Sequence, residues 1–296
     1  MTRGAVLIAH NNNNDYYRMA CWAAKRINNF LGLPVTIITD QNTLDTTAAR
    51  PSITGSYQFD RTILIDPDRT NKMHKMSWFN KSRHLVYDLT PYDETLVLDT
   101  DYVVNSPELL KTFDLPSDFV CYTSAKYIFA HEPNELISDV FQGTYWATVI
   151  RFRKSQRAHD IFKMMTTIQE NYDYYGELYK FLSNTFRNDY ALTIAMRTVN
   201  GQLELPEDSI PGQLQHLDAS GTIEMLDYNR FKLTHDVDIR GRQRPAYIEI
   251  VDHDFHMLGK PEFMNMIATD EERNKWAEDS LLLPLAMHNT WHAPTP

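Results

Sequence analysis

Two carboxylates placed two residues apart are the groups of this chain whose type and spacing best suit metal chemistry. Asp99 and Asp101 follow the apolar run Leu96-Val97-Leu98, which has the composition of a buried β-strand. Carboxylate oxygens are hard ligands for a divalent cation, and open α/β folds bind ligands beyond the carboxyl ends of their strands. The pattern predicts a metal site that bridges a diphosphate. An acidic pair at a strand end also serves as a turn or a helix cap, so both interpretations stay open at this point.

A second polar cluster comes far downstream, after the strand-like residues 247–251. His256 is followed at short range by Gly259 and Lys260. An imidazole can complete a carboxylate-rich site, a glycine lets the backbone come close to a ligand, and a lysine can reach diphosphate oxygens. Taken alone, His253 and His256 each fit an ordinary hydrogen-bonded residue better than a metal ligand, but the three roles are mutually consistent.

The N-terminal part alternates strand and helix patterns. Residues 4–9 and 34–40 are short apolar strands, and Tyr16 to Leu31 has the apolar spacing of a helix. The polar loop that joins the first strand to this helix lacks a Gly-rich phosphate-binding sequence. Its residues His10 and Asp15 could contact the base or ribose of a nucleotide, or the loop could face solvent while Asp15 caps the helix.

Cationic side chains precede the acidic pair along the chain. The sequence predicts a strand over residues 61–66 and then a helix within 71–89 that carries Lys81 and Arg83. Because the acidic strand comes next, both cations are candidate contacts of the same diphosphate, with solvent-exposed helix charges as the alternative. Strands alternate with helices throughout this region, which predicts an α/β fold with a mostly parallel central sheet flanked by helices.

Two further polar residues begin elements of the middle region. Gln142 stands before Gly143 in a turn that leads into a strand, and Asp189 precedes the apolar helix 191–199. A glycine at this point permits close approach of a ligand, and the glutamine offers both a donor and an acceptor. Each residue could instead be structural, as a satisfied amide at a bulge or as a helix cap.

Composition limits the classes of protein that fit. The chain has 296 residues, is 43% hydrophobic and carries a formal net charge of −10, which argues against disorder and against broad binding to nucleic acid or anionic membrane. Local basic clusters at 151–154 and 240–244 leave polyanion binding as a minority interpretation. No run approaches the roughly 20 apolar residues of a membrane span. With only Cys21 and Cys121 and no recognisable leader, we expect a reduced, cytoplasmic setting.

Taken together, these motifs resemble those of GT-A fold glycosyltransferases, most closely the retaining group that includes glycogenin and bacterial lipopolysaccharide galactosyltransferases. The likeness covers approximately residues 4–262 and is carried, in the order of the family, by four segments: 96–101, 142–143, 188–192 and 256–261. The first and last are the specific ones. Two departures stand out: Gly259 and Lys260 are adjacent where the family commonly has His-x-x-Gly-x-x-Lys-Pro, and Asn188-Asp189-Tyr190 replaces the Asp-Gln-Asp of the family.

The resemblance implies a Rossmann-like GT-A domain over residues 1–265 with a C-terminal helical extension over 266–296. It assigns Asp99, Asp101 and His256 as ligands of Mn²⁺ or Mg²⁺ and Lys260 as a contact of the nucleotide-sugar diphosphate. The extension could be a lid, a packing arm or a dimer contact, so a homo-oligomer is one possible arrangement.

The implied reaction moves a sugar from a nucleoside-diphosphate sugar, with UDP as the expected nucleotide, to an acceptor that the sequence does not identify. An inverting enzyme needs a base, for which Asp189 is the candidate; a retaining enzyme would use Gln142 to support the sugar, and the resemblance favours retention. Glycans, protein side chains and hydroxylated DNA bases, the acceptors of phage enzymes, are the acceptor classes considered. A sugar nucleotidyltransferase and a non-catalytic nucleotide-binding protein are the rival functions.

Overall fold

The computed structural model describes residues 1–48, 57–66, 72–73, 76–77, 82–128, 143–181, 186–217, 222–238 and 242–272. The strands are β1 Arg3–Ile8, β2 Val35–Thr39, β3 Arg61–Leu64, β4 Lys72–Met73, β5 Met76–Ser77, β6 Glu94–Leu98, β7 Tyr102–Val103, β8 Phe119–Tyr122, β9 Ala125–Ile128, β10 Trp146–Arg153, β11 Leu214–Leu217, β12 Thr222–Asp227, β13 Arg230–Asp238, β14 Gln243–Val251 and β15 Phe255–Met257. The helices are α1 Tyr16–Leu31, α2 Gln41–Ala48, α3 Val86–Leu89, α4 Gln156–Glu170, α5 Tyr172–Tyr179, α6 Asn188–Val199 and α7 over residues 260–272.

A central sheet orders its six strands as β3-β2-β1-β6-β10-β8. The four strands from β3 to β6 run parallel, and β10 runs antiparallel between β6 and β8. The connections from β1 through α1 to β2 and through α2 to β3 are the crossovers that parallel pairing requires. The predicted α/β class with a mostly parallel central sheet flanked by helices is confirmed.

The two faces of this sheet bury different sets of helices. Side chains alternate across each strand, so Ala5 and Leu7 of β1 pack in the core that contains α1, whereas Val6 packs with α4 and α6. The predicted helix over Tyr16 to Leu31 is confirmed to the residue. Asp15 caps its N-terminus, and Gly32, which follows its last residue, forms the C-cap with a left-handed φ of 63°. This layered packing fixes the strand ends that carry the acidic pair.

A second sheet, in the order β7-β15-β11-β9, and an antiparallel sheet, β12-β13-β14, complete the described architecture apart from the short β4-β5 pair. The three-stranded sheet packs Phe231 and Leu233 of β13 against Trp22 of α1 and Phe263 of α7. Arg26 of α1 lies buried in the same region and donates to the carbonyl oxygen of Tyr228, in the turn between β12 and β13, at 2.8 Å. The late part of the chain is thereby attached to the first helix.

One predicted element is present only in part. The helix expected within residues 71–89 is limited, among the described residues, to a 3₁₀ turn Ser82–Leu85 and the single turn of α3. Earlier in the segment, Lys72–Met73 pairs antiparallel with Met76–Ser77, so the described backbone there forms hydrogen bonds between strands instead of within a helix.

The predicted division between residues 265 and 266 falls inside α7, and most of the predicted C-terminal extension lies outside the described residues. The domain limits therefore stay a prediction. Among the described residues, no helix is both long enough and apolar enough to cross a membrane.

Candidate functional site

The acidic pair lies in the turn between the central sheet and the second sheet. β6 ends at Leu98, and the amide of Tyr102 closes the turn by donating to the carbonyl oxygen of Asp99 at 3.1 Å. β15 runs antiparallel to β7 and places His256 opposite Tyr102. The amide of Met257 also donates to the carbonyl oxygen of Asp101 at 2.9 Å. Backbone pairing thus joins two segments that are 155 residues apart in the sequence.

Asp99, Asp101 and His256 meet at this junction. Each offers one ligand atom, and the three atoms lie within 4.8 Å of one another. His256 Nε2 is 3.2 Å from Asp101 Oδ1. Asp101 and His256 are buried, whereas 21% of the Asp99 side chain is exposed, so the cluster opens on the Asp99 side. Two hard carboxylates and one imidazole with an open side form a donor set that fits Mn²⁺ or Mg²⁺ and leaves coordination positions for water or phosphate.

Two cationic side chains contact the carboxylates. Arg83 contacts Asp99 through Nη2, and Lys260 contacts Asp101 while also donating to the carbonyl oxygen of Met257 at 3.0 Å. The Nε and Nη1 atoms of Arg83 are buried and have no hydrogen-bond partner among the described residues. Burial lowers the pKa of Lys260 to about 8, against the opposing effect of Asp99. The site thus combines metal-type donors with N–H groups suited to an anionic ligand.

A second histidine, His216 of β11, lies behind His256. The two Nδ1 atoms are 2.9 Å apart, and β11 pairs with β15 so that the two histidines are register partners. Burial, together with the smaller effects of the neighbouring His256 and Arg187, lowers the pKa of His216 to about 3. Burial likewise lowers the pKa of His256, while Asp99 and Asp189 oppose that shift. Burial thus favours the neutral form of both rings.

Sequence reasoning missed His216. It stands in the segment Leu214-Gln215-His216-Leu217, which matches no motif, and a histidine beside apolar residues of a strand is its only signal. Its place beside His256 depends on the parallel pairing of β11 with β15, which is a long-range property of the fold.

Asp189 lies near the cluster at the start of α6. Its Oδ1 atom accepts from the amide of Ala147 at 2.9 Å, and its Oδ2 atom accepts from Arg187 at 3.1 Å. Ala147 falls in the part of β10 where the pairing with β8 changes register. Both carboxylate oxygens of Asp189 are therefore occupied by hydrogen bonds that fix the backbone beside the site.

The polar loop before α1 forms local contacts. His10 is buried, and its Nδ1 atom is 2.9 Å from Asp40 Oδ2. Asp15 Oδ1 accepts from the amide of Arg18 at 3.1 Å and from the side-chain amide of Asn11 at 3.0 Å. Of the two alternatives for Asp15, the helix cap is present in the structure. Contact of His10 or Asp15 with a nucleotide stays a prediction.

The remaining candidate residues divide into two groups. Gln142 and Lys81 lie outside the described residues. Gly259 immediately precedes α7, and its carbonyl oxygen accepts from the amide of Phe263 at 3.1 Å. Gly143 has a φ of 80°, a conformation that a residue with a side chain adopts only under strain.

No protein-family model and no curated protein sequence matches the chain. Solved structures that are similar include the galactosyltransferase LgtC in complex with donor and acceptor sugar analogues, with 18% identity over 65% of this chain and 70% of that chain at a TM-score of 0.44. Another is the apo form of the glycosyltransferase GlyE of Streptococcus pneumoniae TIGR4, with 16% identity over 71% of this chain and 45% of that chain at a TM-score of 0.40. A third is mouse xyloside xylosyltransferase 1, with 13% identity over 69% of this chain and 84% of that chain at a TM-score of 0.42. All three are glycosyltransferases, the class that the sequence motifs resemble.

Proposed function

We propose that this chain is a metal-dependent GT-A glycosyltransferase that transfers a sugar from a nucleoside-diphosphate sugar, with a UDP-sugar as the expected donor. The observation that carries the proposal is the meeting of Asp99, Asp101 and His256 within 4.8 Å, with Lys260 in contact with the same cluster. A merely structural acidic turn has no need of an imidazole and a lysine brought from the far end of the chain.

In this proposal, Asp99, Asp101 and His256 hold Mn²⁺ or Mg²⁺ beside the donor diphosphate. When bound, the cation acts as a Lewis acid that stabilises the negative charge of the departing nucleoside diphosphate. Lys260, which contacts Asp101 in this structure, would offer its ammonium group to a diphosphate oxygen once the carboxylate had a metal partner. Arg83 has buried N–H groups that can donate to another phosphate oxygen. Charge on the leaving group is thus neutralised where it develops.

The surroundings of Asp189 support retention of configuration. Both oxygens of Asp189 accept hydrogen bonds from the protein, one of them from the guanidinium of Arg187, as in a carboxylate that positions its neighbours, although each oxygen keeps a second lone pair. We therefore assign Asp189 to positioning the β10 backbone and keep Gln142 as the group that supports the sugar. The acceptor is unassigned among glycans, protein side chains and hydroxylated DNA bases.

The test is an assay of the purified full chain with a panel of UDP-, GDP- and CDP-sugars, with and without Mn²⁺. The proposal predicts slow release of free sugar and nucleoside diphosphate from one donor, abolished by EDTA and restored by Mn²⁺. Exchange of pyrophosphate into a nucleotide sugar would indicate a nucleotidyltransferase instead. Nucleotide binding without turnover of any donor, with and without candidate acceptors, would indicate a non-catalytic binding protein.

A further inference from the structure

His216 is a buried polar side chain whose described hydrogen bond is to His256. Its exposed fraction is 1%, its Nδ1 atom lies 2.9 Å from His256 Nδ1, and its Nε2 atom is buried without a hydrogen-bond partner. The ring packs between Tyr127 and Trp146, each with its ring centroid 4.8 Å away. An apolar ring would fill this space without burying an unpaired nitrogen, so packing alone gives no reason for a histidine here.

The short distance between the two Nδ1 atoms requires one to donate and the other to accept. In a neutral imidazole, one nitrogen carries the proton and the other carries a lone pair. His256 directs Nε2 toward Asp101 and the cluster, and a nitrogen that binds a cation must supply its lone pair there. The proton of His256 then resides on Nδ1, and His216 Nδ1 is the acceptor within reach.

We propose that His216 is a positioning residue that accepts the Nδ1 proton of His256 and so holds the Nε2 lone pair of His256 toward the bound cation. The inference rests on the proposed function, because it needs a cation at the cluster. Histidine ligands of metals in general donate their second N–H to a partner that fixes tautomer and ring orientation. Here a neutral imidazole, where a carboxylate or a carbonyl is usual, takes that role.

The strand register makes the arrangement rigid. His216 is the register partner of His256 on one side and of Tyr127 on the other, so the three rings form a row across β15, β11 and β9. Rotation of the His216 ring is opposed by Trp146, whose ring meets it edge to face at 64°. His216 Nδ1 is therefore held in one place before any cation binds.

Two substitutions separate acceptance of a hydrogen bond from packing. His216→Phe keeps a ring of similar size but offers no acceptor. His216→Asn places its side-chain oxygen the same number of bonds from Cβ as the Nδ1 atom of histidine, so that it can accept from His256. His253→Asn is the matched control, since His253 is exposed and contacts the carbonyl oxygen of Val251.

The measurement is the Kd of the full chain for Mn²⁺, read from the electron paramagnetic resonance signal of free Mn²⁺ at pH 7.5 without donor. We expect His216→Phe to weaken binding about 10-fold, with His216→Asn and the control within about 3-fold of the unsubstituted chain. Wild-type affinity in a folded His216→Phe variant would overturn the inference, as would equal losses in the Phe and Asn variants. Failure of the unsubstituted chain to bind Mn²⁺ would instead reject the proposed function, and the inference with it.

A second measurement needs no substitution and covers the case in which His216→Phe does not fold. Imidazole nitrogens in the ¹⁵N-histidine-labelled chain report their protonation by NMR, and Mg²⁺ is a diamagnetic probe of the same site. With saturating Mg²⁺ we expect the proton of His256 on Nδ1 and an unprotonated Nδ1 on His216. A proton on His216 Nδ1 in the Mg²⁺-bound chain would contradict the proposal.

Discussion

The central sheet has a buried carboxylate at each edge formed by the ends of its strands: Asp208 where the parallel strands begin and Asp101 where they end. The two carboxylates differ in the residues that surround them. Asp208 lies at the edge where the parallel strands begin, beside Ser117 before β8 and Arg157 at the start of α4. It is fully buried; Ser117 donates to Oδ1 at 2.8 Å, and Asn200 at 2.9 Å and Arg157 both donate to Oδ2. Asp101 lies at the opposite edge with His256 and Lys260 as partners.

The surroundings of the two carboxylates suit different roles. The Asp208 cluster pairs charge with charge and fills the remaining acceptor positions with neutral donors, as a buried polar group needs for stability. The Asp101 cluster also pairs its carboxylates with cations, Asp99 with Arg83 and Asp101 with Lys260, but it brings two carboxylates and the imidazole of His256 together and opens toward solvent at Asp99. The first arrangement stabilises the fold; we propose that the second is arranged for a ligand and contributes little to stability.

The largest effect expected from this comparison follows removal of one charge from the open edge. Asp101→Asn should lower metal-dependent donor turnover about 1,000-fold, because the cation loses a charged ligand and the leaving group loses its stabilisation. Asp101→Asn takes the charged partner from Lys260 but also removes the repulsion between Asp101 and Asp99, so thermal unfolding of the metal-free variant should fall by only a few degrees. Activity is measured as release of nucleoside diphosphate at saturating Mn²⁺.

The matched control for this variant is Asp173→Asn, an exposed carboxylate of α5. It should keep full activity and stability. Turnover that survives in Asp101→Asn would remove the metal role from the acidic pair, and a collapse of stability would assign Asp101 to the same structural class as Asp208.

His256→Ala should follow with a smaller loss, about 100-fold in affinity for Mn²⁺. The imidazole contributes a neutral ligand, so its removal leaves both carboxylates to attract the cation. Isothermal titration of Mn²⁺ into the metal-free chain gives the affinity directly. If affinity did not change, His256 would be a hydrogen-bonded neighbour of Asp101 and not a ligand.

Much of the central sheet could be predicted from local patterns, since apolar runs of four to six residues recur between amphipathic segments. The α1 bounds follow from periodicity and from the cap and glycine that enclose it. The sheet β12-β13-β14 was foreseen only at residues 247–251, although Phe231 and Leu233 alternate with polar residues in β13 and gave a usable signal. Within residues 71–89 the sequence predicts a helix where part of the described backbone forms a strand pair, because the basic and apolar residues of this segment also suit a helix.

The candidate site was predictable in its members but not in its geometry. Asp99, Asp101 and His256 were grouped through a family resemblance, and their meeting depends on the pairing of β7 with β15. No local pattern encodes that pairing, because both strands are only two or three residues long. His216 could not be assigned to the site from the sequence for the same reason, since its position depends on the pairing of β11 with β15.

The opposite edge gives the next prediction. Asp208→Asn should lower the free energy of unfolding by about 2 kcal/mol, because Arg157 loses its charged partner and one acceptor position becomes a donor. Partial exposure of the Arg157 side chain, at 27%, keeps the loss below that of a fully buried pair. Urea unfolding followed by circular dichroism measures it. Affinity for Mn²⁺ in the folded variant should be unchanged, and a parallel loss of affinity would show that the two edges are coupled.

The smallest effect concerns Asp15, which lies between the two classes: it is at the open edge of the sheet but forms local hydrogen bonds. Asp15→Ala removes the N-cap of α1 and should lower the free energy of unfolding, measured in urea, by about 1 kcal/mol, whereas Asp15→Ser keeps a capping oxygen and should lower it by only a few tenths of a kcal/mol.

The same pair of variants tests whether Asp15 contacts the donor. Serine lacks the carboxylate that would bind a ribose, so a raised donor KM with normal stability in Asp15→Ser would move Asp15 from the structural class to the binding site. Equal KM values in the serine variant and the unsubstituted chain would limit Asp15 to capping the helix.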